Sequence, residues 1–196
     1  ANVKVRIGDS ASTPETGVAT ALDFMLGLDG ETPIVGLVGG VFSSISMPIA
    51  SVAAVQKVTQ ISYGSTSPAL SNKDTYPYFL RTVPPDSIQG QAFWNWIVAF
   101  EVPMAVCLYA LEPYGQGLFL AIEEQSKLAG EEGRLKGVSV RYMPSTFVVE
   151  EARTSINIAK SLGSRFIFVS MNSQMSNEFV PVMQTEGLLE PGWQVL

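Results

Sequence analysis

Two short segments of the chain combine glycine with small hydroxyl side chains, which is the chemistry of a polar-ligand site. The first covers residues 39–46 and the second covers residues 63–71, and each follows a run typical of a β-strand. Glycine lets the backbone approach a ligand closely, while N–H groups and short hydroxyls can hold its polar atoms. Two such loops, each after a predicted strand, therefore predict a binding cleft for a small polar molecule.

The side chains that most enzymes and metal sites require are missing from the sequence. It contains no histidine and one cysteine, Cys107, which removes the Ser-His-Asp triad and the usual zinc ligands. Cys107 lies in the apolar run 103–109, where burial would raise the thiol pKa and make it inert. Residues 36–40 lack the G-x-G-x-x-G spacing of a dinucleotide loop. The residues therefore favour a binding protein over an enzyme, with no metal and no cofactor.

Composition sets the broad class of the protein. The chain has 196 residues, 46% of them hydrophobic, and a formal net charge of −6, which suits one large domain or two small lobes rather than a disordered chain. The acidic balance argues against nucleic acid as a partner, because few cations could neutralise the phosphates. No apolar run reaches the roughly 18 residues that span a bilayer, so membrane association would come only from segments outside this chain.

Apolar periodicity and turn residues predict an alternation of strands and helices. The predicted strands cover 2–7, 34–38, 60–63, 78–83, 104–109, 137–142 and 165–169, with the start of another at 192–196, and the predicted helices cover 14–26, 43–57, 86–99, 115–129, 148–162 and 173–185. Such alternation is typical of βαβ units with parallel sheets, in which ligands bind at the carboxyl ends of strands. A weak joint near residues 100–103 divides the chain into predicted lobes at 1–101 and 102–196.

Three local patterns make finer predictions. The continuous apolar run 34–38 is typical of a strand buried on both faces. Asp86 followed by Gln89 resembles a capping box, which would make Asp86 the N-cap of its helix. The apolar stripe of that helix would consist of Ile88, Ala92, Trp96 and Ala99. Apolar residues beyond one core stripe would mark a surface for association, and these are Ile45, Met47, Ile49, Phe93 and Trp94.

The second loop and the residues after it resemble a known family. Residues 63–73 and 76–86 are similar to the periplasmic-binding-protein type I ligand-binding domain, in the branch of class C G-protein-coupled receptors, natriuretic-peptide-type receptors and branched-chain amino-acid binding proteins. Residues 39–45 resemble the first ligand loop of that family, and residues 112–115 resemble the loop at the mouth of its second lobe. The resemblance implies an α/β fold of two Rossmann-like lobes with parallel sheets, which close on a ligand like a clamshell.

Ligand contacts on the first lobe follow from the resemblance one residue at a time. Ser43 matches a position where metabotropic glutamate receptors hold the ligand carboxylate, and its place at a predicted helix N-terminus favours an anion, although a plain N-cap serine would look the same. Thr66 matches a threonine that binds the α-amino and carboxylate groups, with turn chemistry as the alternative. Gly64 matches a serine, so that only its backbone carbonyl could serve. Ser44 and Ser65 would help to hold the same end of the ligand.

Two further residues would complete the ligand contacts. Asp86 matches an aspartate that helps to bind the α-amino group, although capping already explains this residue and its motif recurs in members with quite different ligands. Tyr114 matches an aromatic residue that covers the ligand from the second lobe, although the Tyr-Gly pair is widespread in the family. The resemblance therefore implies a site formed by both lobes.

The family domain extends beyond both ends of this sequence. It normally begins with one more strand and helix upstream of Ala1, and it places an acidic ligand contact just past the strand that residues 193–196 would start. We therefore expect a fold that is incomplete at both ends, either as part of a larger extracellular or periplasmic domain such as a receptor ectodomain or as a reduced version of that domain. The expected function is a sensor that binds an amino acid or a similar zwitterion in the interlobe cleft. The alternative is an assembly module without a ligand, which forms a homodimer or hetero-oligomer through the first-lobe helices.

Overall fold

All paired strands in the described part of the chain run parallel to their neighbours, as the alternation of strands and helices predicts. The computed structural model describes residues 3–141 and 147–196. Its contacts divide the chain into two units, Ala1–Pro84 and Pro85–Leu196. The predicted class, α/β with parallel sheets, is therefore confirmed.

The first unit contains a three-stranded sheet in the order β1-β2-β3. Its elements are α1 (Pro14–Leu26), β1 (Gly36–Val38), α2 (Ser43–Gln56), β2 (Thr59–Ser62), a 3-10 turn (Pro68–Ser71) and β3 (Phe79–Arg81). Helix α1 begins where the sequence predicts, because the hydroxyl of Thr13 accepts a hydrogen bond from the Thr16 N–H and Pro14 occupies the first helical position. The core between α1 and α2 consists of Ala21, Met25, Ile45, Ile49, Ala53 and Val58.

The predicted strand at residues 2–7 is wrong for the part that the structure describes. Residues 3–7 form no strand, and Val3, Val5 and Ile7 are exposed. The segment is held instead by the two basic side chains that alternate with these apolar residues. Lys4 forms an ion pair with Glu31, and the Arg6 guanidinium pairs with Asp29 and lies over the ring of Phe24. These are side-chain contacts with the end of α1 and the loop after it, and they form no ladder.

Strand β1 is less buried than the apolar run 34–38 predicts. Among the described residues it pairs only with β2, and Val38 is 74% exposed. Leu37 lies in register with Gln60, and Gln60 with Phe79, so this row of residues packs beneath the helices while the opposite row faces away from them. The prediction of a strand buried on both faces is therefore wrong.

The second unit contains a four-stranded sheet in the order β5-β4-β6-β7. Its elements are α3 (Asp86–Ala99), β4 (Ala105–Ala110), α4 (Pro113–Leu128), a 3-10 turn (Glu132–Arg134), β5 (Leu135–Val140), α5 (Val149–Ser161), β6 (Phe166–Ser170), α6 (Ser173–Thr185) and β7 (Gln194–Val195). The last residue of the predicted strand 137–142 lies outside the described residues. The predicted lobe limits, 1–101 and 102–196, stay a prediction, because a compact unit and a ligand-binding lobe are different divisions of a chain.

Strand β4 supplies residues to two cores, one on each face of its sheet. Val106 and Leu108 pack with α5 and α6, whereas Ala105 and Cys107 pack with α3 and α4. Burial raises the pKa of Cys107 to about 12, which confirms the prediction of an inert, structural thiol. None of the helices in residues 3–141 and 147–196 is long and apolar enough to cross a bilayer.

Helix α3 presents a different face to its core from the predicted one. Its buried residues are Asp86, Gly90, Trp94 and Ile97. Ile88 and Ala92 are exposed instead. The reason is Gly90, where a Cβ atom would lie 2.7 Å from both the carbonyl carbon and the Cβ of Ala121. Close approach of α3 to α4 at this glycine rotates the helix away from the predicted stripe.

We expect Gly90→Ala to destabilise the second unit. An alanine normally favours a helix over glycine by about 1 kcal/mol, but here its methyl group would overlap the backbone of α4, and such overpacking costs about 1–3 kcal/mol. Urea unfolding measures the change, with Gly133→Ala as the matched control because no heavy atom lies within 4 Å of a Cβ there. A Gly90→Ala variant as stable as the wild type would contradict the close crossing of α3 and α4.

Candidate functional site

The two glycine- and serine-rich loops lie side by side at one edge of the three-stranded sheet. Val38 at the end of β1 is in register with Ile61 of β2, so both strands deliver their following loops to the same place. The Gly39 N–H continues the ladder by donating to the Ile61 carbonyl at 3.0 Å. The structure therefore brings together the loops at residues 39–46 and 63–71 that the sequence singles out.

A backbone carbonyl of the first loop accepts several hydrogen bonds that help to join the two loops. The Gly40 carbonyl accepts hydrogen bonds from the hydroxyls of Ser62 at 2.6 Å, Ser46 at 3.0 Å and Ser65 at 3.2 Å. Gly40 has a positive φ of 75°, and a Cβ atom there would lie 2.1 Å from the Ser46 Oγ. Only glycine fits this position, because it permits both the left-handed backbone and the approach of the serine.

The hydroxyls of Ser62 and Ser65 form hydrogen bonds within the fold. The Ser62 Oγ accepts from the N–H groups of Gly64 at 3.2 Å and Ser65 at 2.9 Å. The Ser65 Oγ lies 2.8 Å from the Ser46 Oγ and 3.2 Å from the Val41 carbonyl. All three serines of this network are fully buried, so their role in the structure is to shape the loops.

Arg81 fixes the far side of the second loop. Its guanidinium donates to the carbonyls of Ser65 at 3.3 Å and Ser67 at 2.9 Å, and to the hydroxyl of Ser71. The buried Ser43 hydroxyl accepts from the Ser67 N–H at 3.1 Å, which ties the same loop to the first turn of α2. Charged donors make such bonds stronger than neutral ones.

Two predicted ligand residues keep free hydroxyls at this edge. Ser44 and Thr66 are both partly exposed, and their hydroxyls form no hydrogen bond within residues 3–141 and 147–196. Ser44 lies in the first turn of α2, where the N-cap is Phe42 and no side chain caps the helix. Uncapped N–H groups and the helix dipole favour an anion. The polar surface available to a ligand on this unit is therefore centred on Ser44 and Thr66.

Gly64 has a packing reason for lacking a side chain. A Cβ atom there would lie 2.7 Å from the Cγ2 of Val41 and 3.2 Å from the Val41 carbonyl oxygen. A serine at this position would displace Val41 and the first loop with it. The second loop therefore approaches the first more closely here than a serine would allow.

Asp86 and Tyr114 both lie in the second unit, at the beginnings of two helices. Asp86 is the first residue of α3 and is 1% exposed, while Pro85 is the N-cap, so the capping box predicted from Asp86 and Gln89 is wrong. Proline at the preceding position provides no side-chain acceptor, and the Asp86 carboxylate is directed into the fold. Tyr114 is the second residue of α4.

The carboxylate of Glu112 caps α4 directly before Tyr114. Its two oxygens accept from the N–H groups of Tyr114 at 3.0 Å and Gly115 at 2.7 Å. Burial raises the pKa of Glu112, and the two hydrogen bonds lower it by less. The pKa of Tyr114 is also raised. Burial is the largest cause, and the negative charges of Asp86 and Glu112 raise it further. The phenol therefore stays neutral and can both donate and accept a hydrogen bond.

Sequence reasoning assigned no individual role to four residues that organise this region. They are Ser46, Ser62, Arg81 and Glu112. A signal existed for Glu112, because Pro113 is typical of the first helical position and makes the preceding residue the N-cap. Ser46 and Ser62 gave only the weak signal of a hydroxyl among apolar neighbours. The contacts of Arg81 depend on how the loop folds back, which no local pattern encodes.

The apolar residues predicted to form an association surface are largely in the cores. Ile45, Ile49 and Trp94 are buried. Met47 and Phe93 pack half-buried against the cores of their units, and the ring of Phe93 lies edge to face with that of Phe168 at 5.0 Å. The prediction that these residues form a surface for association is therefore wrong.

Among residues 3–141 and 147–196, no group of three acidic or cysteine side chains could hold a metal ion.

We expect Ser62→Ala to destabilise the first unit by about 1–3 kcal/mol. The buried polar groups that lose their partner would still bear the cost of desolvation, without a hydrogen bond to compensate for it. The substitution removes one donor to Gly40 and the shared acceptor of two backbone N–H groups. Chemical unfolding would reveal the loss, with the exposed Ser161→Ala as a control of the same chemistry. An unchanged midpoint for Ser62→Ala would show that the carbonyl does not hold the loops together.

The family model and the individual relatives that match this chain all point to receptor proteins. Residues 1–194 match the receptor family ligand binding region. The probable metabotropic glutamate receptor mgl-1 of Caenorhabditis elegans is 30% identical over 154 residues, which cover 67% of this chain and 15% of that receptor. Metabotropic glutamate receptor 8 of Homo sapiens is 31% identical over 144 residues, which cover 64% of this chain and 16% of the receptor. The resemblance inferred from residues 63–86 is thereby confirmed, and the chain belongs to the family of receptor ligand-binding regions.

Proposed function

We propose that this receptor ligand-binding region recognises an amino acid or a similar zwitterion, without catalysing a reaction. The observation that carries the proposal is the hydrogen-bonded pair of loops around Gly40, which leaves the hydroxyls of Ser44 and Thr66 to a ligand. The uncapped start of α2 favours a carboxylate at that place. A small polar ligand therefore suits this unit better than an apolar one.

The second unit offers chemistry of the opposite sign. Asp86 and Glu112 begin two of its helices, and both carboxylates raise the pKa of Tyr114. Such a region favours a cationic group, and the face of Tyr114 could also attract an ammonium ion. An anion-favouring unit and a cation-favouring unit together suit a zwitterion. The names of the relatives, which include glutamate, support the same class of ligand.

Signalling by such a site would follow from population shift. A ligand that contacts both lobes stabilises the closed form more than the open form, and only this difference in affinity changes the equilibrium. We place the domain outside the cell or in the periplasm, where it would sample free amino acids. Any attachment to a membrane would come from segments outside this chain.

A thermal-shift screen with the standard amino acids tests the proposal. At a concentration of about 100 times Kd, a bound ligand stabilises the protein by about 2.7 kcal/mol and raises its melting temperature. The double variant Ser44→Ala/Thr66→Val should weaken binding by about tenfold or more, because two hydrogen-bonding groups are lost at nearly constant shape. The control is Thr154→Val/Ser161→Ala, which removes two exposed hydroxyls of α5. The proposal fails if no amino acid raises the melting temperature.

A second candidate function is assembly, and the outward face of α3 favours it. Ile88 is 57% and Val98 is 45% exposed, and none of the exposed positions of this helix carries a charge. A solvated helix face is normally rich in charged residues. On a chain with a net charge of −6, an uncharged face allows a second copy to approach with the least repulsion.

We expect the wild-type protein to self-associate and Ile88→Asp/Val98→Asp to remain monomeric. Two buried charges at the interface would cost more than the apolar contact contributes. Light scattering over a range of concentrations measures the mass. Ile158→Asp on α5, where the native isoleucine is 48% exposed, is the matched control and should behave as the wild type. A monomeric wild type, or an association that survives the double change, would argue against assembly through α3.

A further inference from the structure

The first turn of α4 is held at its start by the side chain of its own N-cap. Both oxygens of the Glu112 carboxylate are engaged, with the N–H groups of Tyr114 at 3.0 Å and Gly115 at 2.7 Å. A charged acceptor and the positive end of the helix dipole make these bonds stronger than those of a neutral cap. The backbone of Tyr114 is therefore tied directly to this carboxylate.

Packing at Gly115 fixes the other side of the same turn. A Cβ atom at Gly115 would lie 2.6 Å from the carbonyl oxygens of both Ala110 and Ser170. The Ser170 hydroxyl donates to the Gly115 carbonyl at 3.1 Å. The turn thus rests on the carboxyl ends of β4 and β6, and the Glu112 carboxylate closes it from the helix side.

The ring of Tyr114 depends on this arrangement for its direction. It packs half-buried against the core shared by α3, α4 and β4, together with Phe93, Trp96 and Tyr109. The titratable groups that face it are Glu112 at the start of its own helix, Asp86 on α3 and Cys107 on β4. Rotation of the backbone at Tyr114 would move the ring relative to all of these groups.

We propose that Glu112 is a positioning residue, whose ionised carboxylate holds Tyr114 in the orientation from which it covers a ligand and releases it on protonation. This inference rests on the proposed function. It names a pH-linked control of the same site, through a residue that itself does not touch the ligand.

The ionised form of Glu112 is maintained at a cost to folding. Because burial raises its pKa above the ordinary value, its contribution to stability is greatest at acidic pH and is lost as the pH rises through the raised pKa. Above that pKa the fold therefore carries a charge that a neutral side chain would not. The stability of the wild type should fall as the pH rises through the raised pKa, and Glu112→Gln should remove this dependence although it holds the turn less firmly.

Nuclear magnetic resonance can test, without any ligand, whether the Glu112 carboxylate fixes the orientation of Tyr114. In the wild type, the amide signals of Tyr114 and Gly115 should titrate together, at a pH above the ordinary pKa of a glutamate. In Glu112→Gln this titration should vanish, and the cross-peaks between the Tyr114 ring and its aromatic neighbours should weaken. Glu124→Gln makes the same change at an exposed position of α4 and should leave both signals unchanged. Unaltered signals in Glu112→Gln would overturn the proposal.

Binding of L-glutamate, followed by calorimetry on both sides of the pH at which the amide signals titrate, tests the consequence for the site. Above that pH we expect Glu112→Gln to raise Kd about tenfold, and the variant should lose the step in affinity that the wild type shows there. Equal affinities for wild type and variant would overturn the positioning role. Failure of L-glutamate and of every other amino acid to bind would remove the proposed function and the ligand-facing part of this inference. Unchanged amide titration in the variant would overturn the positioning role of Glu112 even if an amino acid binds.

Discussion

The carbonyl of Gly40 is the acceptor around which the first unit builds its polar edge. Three serine hydroxyls from α2, β2 and the following loop meet at this one oxygen. A buried carbonyl with several good donors satisfies both of its lone pairs and removes the freedom of the loops that supply them. The positions of Ser44 and Thr66, and hence the candidate site on this unit, follow from that convergence.

The second unit holds its corresponding backbone groups with a charged side chain. At the start of α4 a single carboxylate accepts two backbone N–H groups, where the first unit uses several neutral hydroxyls. The hydroxyl network is insensitive to pH, whereas a buried carboxylate is not. The two units are therefore expected to differ in their response to acid.

The sequence predicts the elements well and their surroundings less well. The bounds of α1 and α6 agree with the predicted ones, because caps and periodicity are local signals. The failures at residues 3–7, in β1 and on the buried face of α3 are all failures of context. Whether an apolar strand is covered, and which face of a helix meets its neighbour, depends on packing such as that at Gly90, which no local pattern encodes.

The same distinction applies to the site. Glycine and serine mark two loops that the structure brings together at one edge of the sheet, but residue type alone could not separate hydroxyls that bind within the fold from those that stay unpaired. Ser65 resembles Thr66 in sequence, yet its hydroxyl is buried among Gly40, Val41 and Ser46. Loss of binding on mutation of Ser65 would therefore report a collapsed loop rather than a lost contact. A ligand contact is demonstrated only where binding is lost and stability is kept, which is why Ser44 and Thr66 are the residues that decide the question.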